Sequence, residues 1–297
     1  MSILTVKELS KNYGNVQALK SVSFSVPEGV TFGILGPNGS GKTTLLATII
    51  DIIRPTSGSY ELFNGQPSGE SRRKIGTLLE TPNFYHYMDA VDNLRIAAKI
   101  KGKGEQDIES VLKTVNLFER RFYKFSTYSL GMKQRLGIAS CLLGSPDVLI
   151  FDEPTNGLDP VGIAEIRQLI RDLHKEGRTI IMASHLLDEV EKVCTHVAIL
   201  KSGKLIAAGE VSGILSNEEV IEISSSDNSR LALILENYSG ISRVEKGDFS
   251  LMVFFPAGTS DPGKLNEYCY QHGIILNHLI SKRKSLESRF FELTNNN

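Results

Sequence analysis

A glycine-rich segment near the N-terminus carries the spacing G-x-x-x-x-G-K-[ST]. Its residues are Gly36, Pro37, Asn38, Gly39, Ser40, Gly41, Lys42 and Thr43. The glycines let successive backbone N–H groups point toward phosphate oxygens, the lysine adds a mobile cation, and the threonine hydroxyl can bind Mg²⁺. Thr44 is included among the binding residues because it begins a predicted helix whose N-terminus presents the positive end of its dipole. The segment predicts a phosphate-binding loop, and a glycine-rich turn without a ligand is the alternative.

Two adjacent carboxylates follow a second apolar run. Val148–Phe151 predicts a buried strand that ends in Asp152 and Glu153. In open α/β sheets ligands bind at the carboxyl ends of the strands, where these side chains are expected. Beside a phosphate loop, Asp152 would hold Mg²⁺, directly or through water, and Glu153 would polarise the water that attacks the γ-phosphate. Taken alone, a strand that ends in Asp-Glu is more often a solvated strand end, but the phosphate loop favours the functional interpretation.

A sheet of parallel strands is needed to bring these two segments together. The apolar runs that predict its strands are Val30–Leu35, Val148–Phe151, Thr179–Ala183 and Val197–Leu200. Helical patterns lie between them, among them Thr44–Ile53, which we expect to end before Pro55, and Val161–His174. Alternating strands and helices predict an α/β fold.

Two regions depart from this alternation. Residues from about 82 to 143 show helical patterns alone, and we interpret them as a helical insertion. Beyond Gly209 the pattern indicates strand, helix, strand, strand, helix and strand, which suggests a split β-α-β domain of the ferredoxin-like kind. We therefore expect one large domain over residues 1–210 and a smaller accessory α+β domain over residues 211–297.

The composition bears on nucleic-acid binding and on the cellular compartment of the protein. The 297 residues carry a formal net charge of -1, so the chain has no strong basic field and we expect no nucleic-acid partner. Three cysteines, Cys141, Cys194 and Cys269, lie in mostly apolar surroundings, as expected of buried thiols in a reducing compartment. The sequence shows neither a signal-peptide pattern nor a run of about 18 apolar residues. These features predict a cytoplasmic protein that reaches a membrane only through another protein.

Three further segments complete a resemblance to the ATPases of the ABC family. In chain order they are Tyr128–Arg135, Gly157–Pro160 and Ser184–His185, and the likeness covers about residues 3–210. The resemblance implies a P-loop NTPase fold of ABC type, with a parallel core sheet, an antiparallel β subdomain and a helical insertion. It also implies that the chain binds and hydrolyses ATP with Mg²⁺, in a head-to-tail dimer of two ATPase subunits with ATP at the interface.

The signature segment matches the family only in part. Ser129 and Gly131 stand where the family's serine and glycine clasp the γ-phosphate held by the other subunit, and the resemblance assigns them that role. Three of the five residues Tyr128–Met132 differ from the usual Leu-Ser-Gly-Gly-Gln, whereas the downstream Lys133–Leu136 agrees with the family. Ser129 is also a suitable N-cap for the helix that follows. Both roles are compatible, because a helix N-terminus is itself an anion site.

Three other positions receive roles from the resemblance. Asp159 resembles the aspartate that links the two active sites, and His185 resembles the switch histidine that hydrogen-bonds the γ-phosphate. Tyr13 stands in the place of the aromatic residue that stacks on adenine. The alternatives are a surface histidine after a strand and an exposed tyrosine in a turn.

Glu80 replaces the glutamine of most family members, and its carboxylate oxygen is predicted to bind the metal beside the nucleotide. With Thr81–Tyr85 it resembles the exporters that move bacitracin and lantibiotic-type peptides, and Ser285–Phe291 resembles their closing helix. The implied partner is a separate polytopic membrane permease, with the ATPase peripheral on the inner face of the membrane. Lys282–Lys284 is interpreted as a solvated strand end rather than a lipid or nucleic-acid site.

Two other function classes remain as alternatives. A soluble ABC ATPase of repair, translation or cluster assembly would have no membrane partner, but the sequence has one phosphate loop and no long coiled-coil insertion. A GTPase or kinase that shares only the phosphate loop would leave the signature segment unexplained, and the sequence contains no Asn-Lys-x-Asp guanine motif. The pattern therefore favours an exporter ATPase.

Overall fold

The computed structural model describes residues 1–79, 81–215, 218–256, 258–282, 286–287 and 289–290. The chain divides into two compact units, Met1–Val211 and Ser212–Asn297. The strands of the first unit are β1 Ser2–Tyr13, β2 Val16–Pro27, β3 Thr31–Leu35, β4 Ser57–Leu62, β5 Ile75–Leu78, β6 Val148–Asp152, β7 Thr179–Ser184, β8 His196–Lys201 and β9 Lys204–Glu210. Its helices are α1 Lys42–Ile49, α2 Gly69–Arg73, α3 Ala90–Lys101, α4 Ile108–Thr114, α5 Leu130–Leu142, α6 Pro160–Lys175 and α7 Leu187–Val193. Helix α8, Val211–Ile214, begins at Val211, the last residue of the first unit.

A six-stranded sheet forms the centre of the first unit. The strand order is β5-β6-β7-β3-β8-β9, with parallel pairs throughout except for the antiparallel pair β8 and β9. Every residue of β3, β6 and β7 is buried, as expected of parallel strands covered on both faces. The carboxyl ends of these three neighbouring strands meet at one edge of the sheet, and that edge receives the residues expected to do chemistry.

A second, antiparallel sheet packs on the same core. Its order is β2-β1-β4, and its inward side chains, such as Leu9, Val22 and Leu62, join one apolar cluster with Leu45 and Leu46 of α1. The three short 3₁₀ turns of the unit, Glu105–Asp107, Phe118–Arg120 and Phe125–Thr127, accompany α3, α4 and α5 between β5 and β6. The predicted fold class is confirmed: a parallel core sheet, an antiparallel β subdomain and a helical insertion.

Helix α1 is shorter than the sequence predicts. The expectation that it runs to Ile53 is wrong, because the helix ends at Ile49. Asp51 has a positive φ of 65°, and its N–H donates to the carbonyl of Thr48 at 3.0 Å. The N–H of Ile52 donates to the carbonyl of Ala47 at 2.9 Å, so the two bonds close the helix in a Schellman motif. Apolar residues after the motif extended the helical pattern beyond the true end.

Helix α5 packs directly on the edge strand β5. A Cβ added to Gly76 would lie 2.4 Å from the carbonyl oxygen of Cys141, and one added to Gly137 would lie 2.8 Å from Cγ of Pro82. At its far end α5 is held by Lys101, whose ammonium donates to the carbonyls of Ser140 at 2.6 Å and Cys141 at 3.2 Å. Burial and the nearby Lys103 charge lower the pKa of Lys101, with burial the larger cause and Cys141 opposing them. The C-terminal half of α5 therefore packs on the edge strand β5 and is hydrogen-bonded to the end of α3.

Among its described residues, the second unit has a four-stranded antiparallel sheet and the helices α9 and α10. Its elements are β10 Glu218–Ser225, α9 Asn228–Leu235, β11 Arg243–Lys246, β12 Leu251–Pro256, α10 Pro262–Gln271 and β13 Leu276–Lys282. The strand order β11-β12-β10-β13 places the first and third strands of the unit side by side, which is the split β-α-β topology. Ile221, Val253 and Phe255 of the sheet pack with Leu231 and Leu265 of the helices in one apolar core.

Some predicted features lie outside the described residues. They include Glu80, the basic residues Arg283 and Lys284, and three residues of the predicted closing helix, Ser285, Ser288 and Phe291. Within the described ranges, we find no helix with the length and hydropathy that crossing a bilayer requires.

Candidate active site

The glycine-rich segment forms a loop between β3 and α1. The ammonium of Lys42 turns back into this loop and donates to the carbonyl oxygens of Gly36 at 2.8 Å and Pro37 at 3.3 Å. Lys42 is only 6% exposed. A cation held this close to neutral carbonyl groups lacks the full solvation of water, so an anion placed in the loop would interact with it strongly.

Two glycines of the loop are required by close backbone contacts. A Cβ on Gly36 would lie 2.3 Å from the carbonyl oxygen of Leu200, and a Cβ on Gly41 would lie 2.6 Å from that of Ala18. Gly41 also has a φ of 106°, which side chains rarely allow. Gly39 has a φ of 77° but open space around it. The loop backbone therefore fits tightly against the sheet and stays open on its outer side.

The N-terminus of α1 opens onto this loop. No side chain caps the helix, whose N-cap is Gly41, and no acidic residue lies in its first turn. Thr43 is exposed and Thr44 is partly buried, while the Ser40 hydroxyl is buried without a hydrogen-bond partner among the described residues. Uncapped N–H groups and a helix dipole attract anions. The loop therefore has the donors that phosphate groups of a nucleotide require.

Glu153 lies between two basic side chains at the end of β6. Its Oε1 lies 3.3 Å from Nζ of Lys42, and its Oε2 lies 2.8 Å from Nδ1 of His185. The residue has a positive φ of 50°, which a hydrogen bond from its N–H to the carbonyl of Ala183 at 3.0 Å helps to hold. Such strain in a non-glycine residue costs of order 1 kcal/mol and recurs at functional sites. The structure thus brings three predicted residues, Lys42, Glu153 and His185, into direct contact.

A cavity of about 220 Å³ opens beside Glu153. It is lined by Thr43, Thr81, Leu130, Gln134, Asp152, Glu153 and Asn156. Asp152 is 2% exposed, so its carboxylate is withdrawn from bulk solvent at the cavity wall. Hydroxyl and carboxylate oxygens are the ligands that Mg²⁺ prefers. The oxygens of Thr43 and Asp152 therefore fit a magnesium ion, and the third predicted ligand, Glu80, lies outside the described residues.

The remaining predicted residues do not line this cavity. The Ser129 hydroxyl accepts a hydrogen bond from the N–H of Met132 at 3.3 Å, so Ser129 is the N-cap of α5, and Gly131 lies in the first turn. Asp159 caps α6 in the same way, accepting from the N–H of Gly162 at 2.9 Å. Tyr13 is exposed at the end of β1, with the ammonium of Lys11 5.1 Å from its ring centre. Within one subunit Tyr13, Ser129 and Asp159 are exposed and Gly131 is partly exposed, so a second molecule or a base could contact them.

Sequence reasoning did not single out three residues of the cavity wall. Leu130, Gln134 and Asn156 line the cavity, and Gln134 is buried although it is polar. The helical spacing of Leu130 and Gln134, one turn apart on α5, was an available signal that both share one face. The residues that line the cavity opposite them, such as Thr43 and Asp152, come from other parts of the chain. The sequence pattern alone does not show that these segments meet.

Known proteins resemble this chain in sequence and in fold. The family described as ABC transporter matches residues 19–156. The bacitracin transport ATP-binding protein BcrA of Bacillus licheniformis is 38% identical over 98% of this chain and 97% of its own length. The lantibiotic transport ATP-binding protein SrtF of Streptococcus pyogenes is 39% identical over 73% of this chain and 95% of its own length.

A solved structure extends the comparison to a dimer. It is an ATP-binding cassette in a dimeric post-hydrolysis state with ADP and phosphate bound, 26% identical, with a TM-score of 0.62 over 70% of this chain and 98% of its own. The 38% identity to BcrA over nearly the whole of both chains shows the family. The chain belongs to the ABC transporter family, in which it is an ATP-binding subunit and an ATPase.

Proposed function

We propose that this chain is the ATP-driven motor of an exporter whose membrane-spanning part is a separate polypeptide. The observation that carries the proposal is the position of Glu153, held between Lys42 and His185 at the mouth of the phosphate loop. The γ-phosphate would lie at the mouth of the loop. A carboxylate beside it can accept a proton from the water molecule that attacks the phosphate. The relatives BcrA and SrtF are named for the transport of bacitracin and of lantibiotics, which supports a peptide antibiotic as the class of compound moved.

We assign a part of the hydrolytic step to each side chain of the site. The loop amides and the Lys42 ammonium would hold the phosphates and balance the charge on the terminal phosphoryl group. Glu153 would orient a water molecule and take its proton as the oxygen bonds to the γ-phosphorus and the bond to the bridging oxygen breaks, leaving ADP and phosphate. His185 would hydrogen-bond the γ-phosphate and hold Glu153 in place. Thr43 and Asp152 would bind Mg²⁺, which neutralises charge on the phosphates.

A second copy of the subunit would complete the site. Ser129 and Gly131 at the start of α5 would face the γ-phosphate bound to the other subunit, with the helix dipole directed at the phosphate. The exposure of Ser129 and the partial exposure of Gly131 in one subunit support this arrangement, as does the dimeric cassette with bound ADP and phosphate. Asp159 would lie at the same interface, and Tyr13 would stack on the adenine ring.

The membrane subunit would dock on the helical insertion. A surface cavity of about 390 Å³ there is lined by Asn83, Phe84, Tyr85, Asn93, Ile96, Ala97 and Ile100. Ile100 is 82% exposed, and Tyr85 is also exposed. Exposed apolar residues around a concave surface are typical of a protein interface. This surface follows directly on residue 80 in the chain, so movements at the nucleotide could reach the partner along a short path.

Drug susceptibility of the host tests the exporter function. Deleting the gene should lower the minimal inhibitory concentration of bacitracin or of a lantibiotic, because the compound would no longer leave the cell envelope. The parent gene should restore resistance, while Glu153→Gln, expressed at the same level, should not. Unchanged susceptibility across both compound classes would refute export of such peptides. Purification of the native chain without any polytopic membrane protein would favour the soluble ATPase class instead.

A further inference from the structure

A half-buried ion pair joins α6 to α7 beyond the cavity wall. Arg167 donates from Nε to Oε2 of Glu189 at 2.9 Å and from Nη2 to Oε1 at 2.7 Å. The two side chains are 22% and 12% exposed. Two parallel bonds between guanidinium and carboxylate fix the orientation as well as the distance, unlike a single ion pair at the surface. We call this pair of residues the α6–α7 clamp.

The two helices that the clamp joins are anchored very differently. Helix α6 has 16 residues, is capped by Asp159 with Pro160 in its first turn, and buries one face that includes Ile166, Leu169 and Leu173. Helix α7 has seven residues, no side-chain cap, and Val190 as its buried residue. A helix this short has little stability of its own and depends on tertiary contacts. Helix α6 is therefore the fixed platform and α7 the element that needs support.

Among the described residues, α7 also contacts β3 and makes a further hydrogen bond with α6. Val190 packs against β3, where a Cβ on Gly33 would lie only 2.5 Å from its Cγ1. The exposed Arg171 of α6 donates one hydrogen bond to the carbonyl of Lys192 at 2.8 Å. Val190 is the buried residue of α7, and the other apolar side chains of the helix, Leu187 and Val193, are only partly buried. The clamp, one residue away from Val190, adds a bidentate contact that opposes rotation of the short helix about Val190.

The orientation of α7 matters because the segment that leads into this helix carries His185. His185 lies two residues before the first residue of α7, and its Nδ1 is 2.8 Å from Oε2 of Glu153. We propose that Arg167 and Glu189 are positioning residues that hold α7, and through it the imidazole of His185, at hydrogen-bond distance from Glu153. The inference depends on the proposed catalytic role of His185. A misplacement of about 1 Å caused by a distant residue can slow an enzyme by as much as about 10²-fold.

Steady-state hydrolysis by the purified full-length chain provides the first test. Arg167→Met keeps an unbranched side chain of similar reach but removes the paired donors. We expect kcat to fall about tenfold with KM and nucleotide affinity within about twofold, because the phosphate loop is untouched. Lys7→Met is the matched control, since it removes an exposed 2.6 Å ion pair with Glu61 on the antiparallel sheet, and should leave kcat unchanged. The charge-reversed double variant Arg167→Glu with Glu189→Arg should recover part of the rate.

A double-mutant cycle separates positioning from general loss of folded protein. His185→Ala should itself slow hydrolysis about 10²-fold or more, and Arg167→Met should have no further effect in that background. Equal slowing by Arg167→Met in both backgrounds would overturn the inference, since the clamp would then act without His185. A parent-like rate for Arg167→Met beside a slow His185→Ala would also overturn it, while leaving the proposed function intact. A parent-like rate for His185→Ala would refute the role of His185 and the clamp together.

Discussion

The two units of the chain place their polar groups in opposite ways. Among the described residues, the buried polar or charged residues of the first unit include Lys42, Gln134, Asp152 and Ser184, whereas in the second unit only Ser225 is buried. The second unit instead has an apolar core and keeps its charges at the surface. Burying a polar group is unfavourable unless it finds a partner. The first unit buries polar groups with partners, such as Lys42 with the carbonyls of Gly36 and Pro37, and several of them lie at the sheet edge of the proposed site.

Backbone strain follows the same division. In the described ranges the non-glycine residues with positive φ all belong to the first unit, and one of them is Glu153. Strained residues persist where the surrounding structure holds them, and they are frequent at functional sites. The comparison teaches that the first unit accepts backbone strain at Glu153, a residue of the proposed site, whereas the described residues of the second unit follow the ordinary rules of a stable α+β domain.

The sharpest contrast is expected from removing one ammonium group in each unit. Lys42→Ala should abolish nearly all ATP binding and turnover while the chain stays folded, because phosphate charge would lose its closest cation. Lys264→Ala removes an exposed lysine that pairs with Asp261 at 3.5 Å in the second unit, and should leave turnover unchanged. Phosphate release and binding of a fluorescent ATP analogue measure both variants. Parent-like turnover by Lys42→Ala would contradict the location of the site.

A core truncation in the second unit should show the reverse pattern. Phe255 is fully buried in that core, so Phe255→Ala should reduce the unfolding free energy of the unit by about 3–5 kcal/mol. Turnover at a temperature where both units stay folded should remain within about twofold of the parent, since no proposed site residue belongs to the second unit. Urea unfolding followed by circular dichroism gives the stability, and Leu233→Ala, at an exposed position, is the control. A large loss of turnover in the folded protein would show that the second unit takes part in catalysis.

The smallest expected effect concerns a surface charge cluster of the second unit. Hydrogen bonds from Lys282, Ser250 and His278 hold the pKa of Glu222 at about 2. Because this pKa is lower in the folded than in the unfolded chain, the carboxylate stabilises the unit above about pH 4.5, and the contribution fades as the pH falls toward 2. Glu222→Gln should therefore lower the urea midpoint modestly at pH 7, with a smaller difference at pH 3. If the difference between the urea midpoints of the parent and Glu222→Gln grew as the pH fell, the prediction would be contradicted.

Local patterns were sufficient to predict the loop and the strands that carry it. Buried parallel strands have continuous apolar runs, and the phosphate loop has a fixed spacing of glycines. Both features can therefore be recognised from residues that are adjacent in the sequence. The end of α1 was misplaced because Ile52 and Ile53 continue the apolar pattern beyond the Schellman motif at Asp51. Local hydrophobicity does not report which backbone bonds close a helix.

Contacts between distant segments could not be predicted. Arg167 and Glu189 are 22 residues apart, and nothing in either local sequence indicates that their side chains meet. The close approach of Gly76 to Cys141 likewise becomes visible only when α5 lies on β5. The contact of Glu153 with His185 depends on the adjacency of β6 and β7 in the sheet. Such contacts are set by the topology, which a single sequence specifies only indirectly.

The central claim is that Glu153 activates the attacking water, and Glu153→Gln tests it most directly. The amide keeps the shape of the side chain but accepts protons poorly, so ATP affinity should stay near that of the parent while hydrolysis in a single-turnover assay slows by about 10²- to 10⁴-fold. Size-exclusion chromatography with ATP and Mg²⁺ should then show a trapped dimer. Hydrolysis by Glu153→Gln at the parent rate would contradict the account.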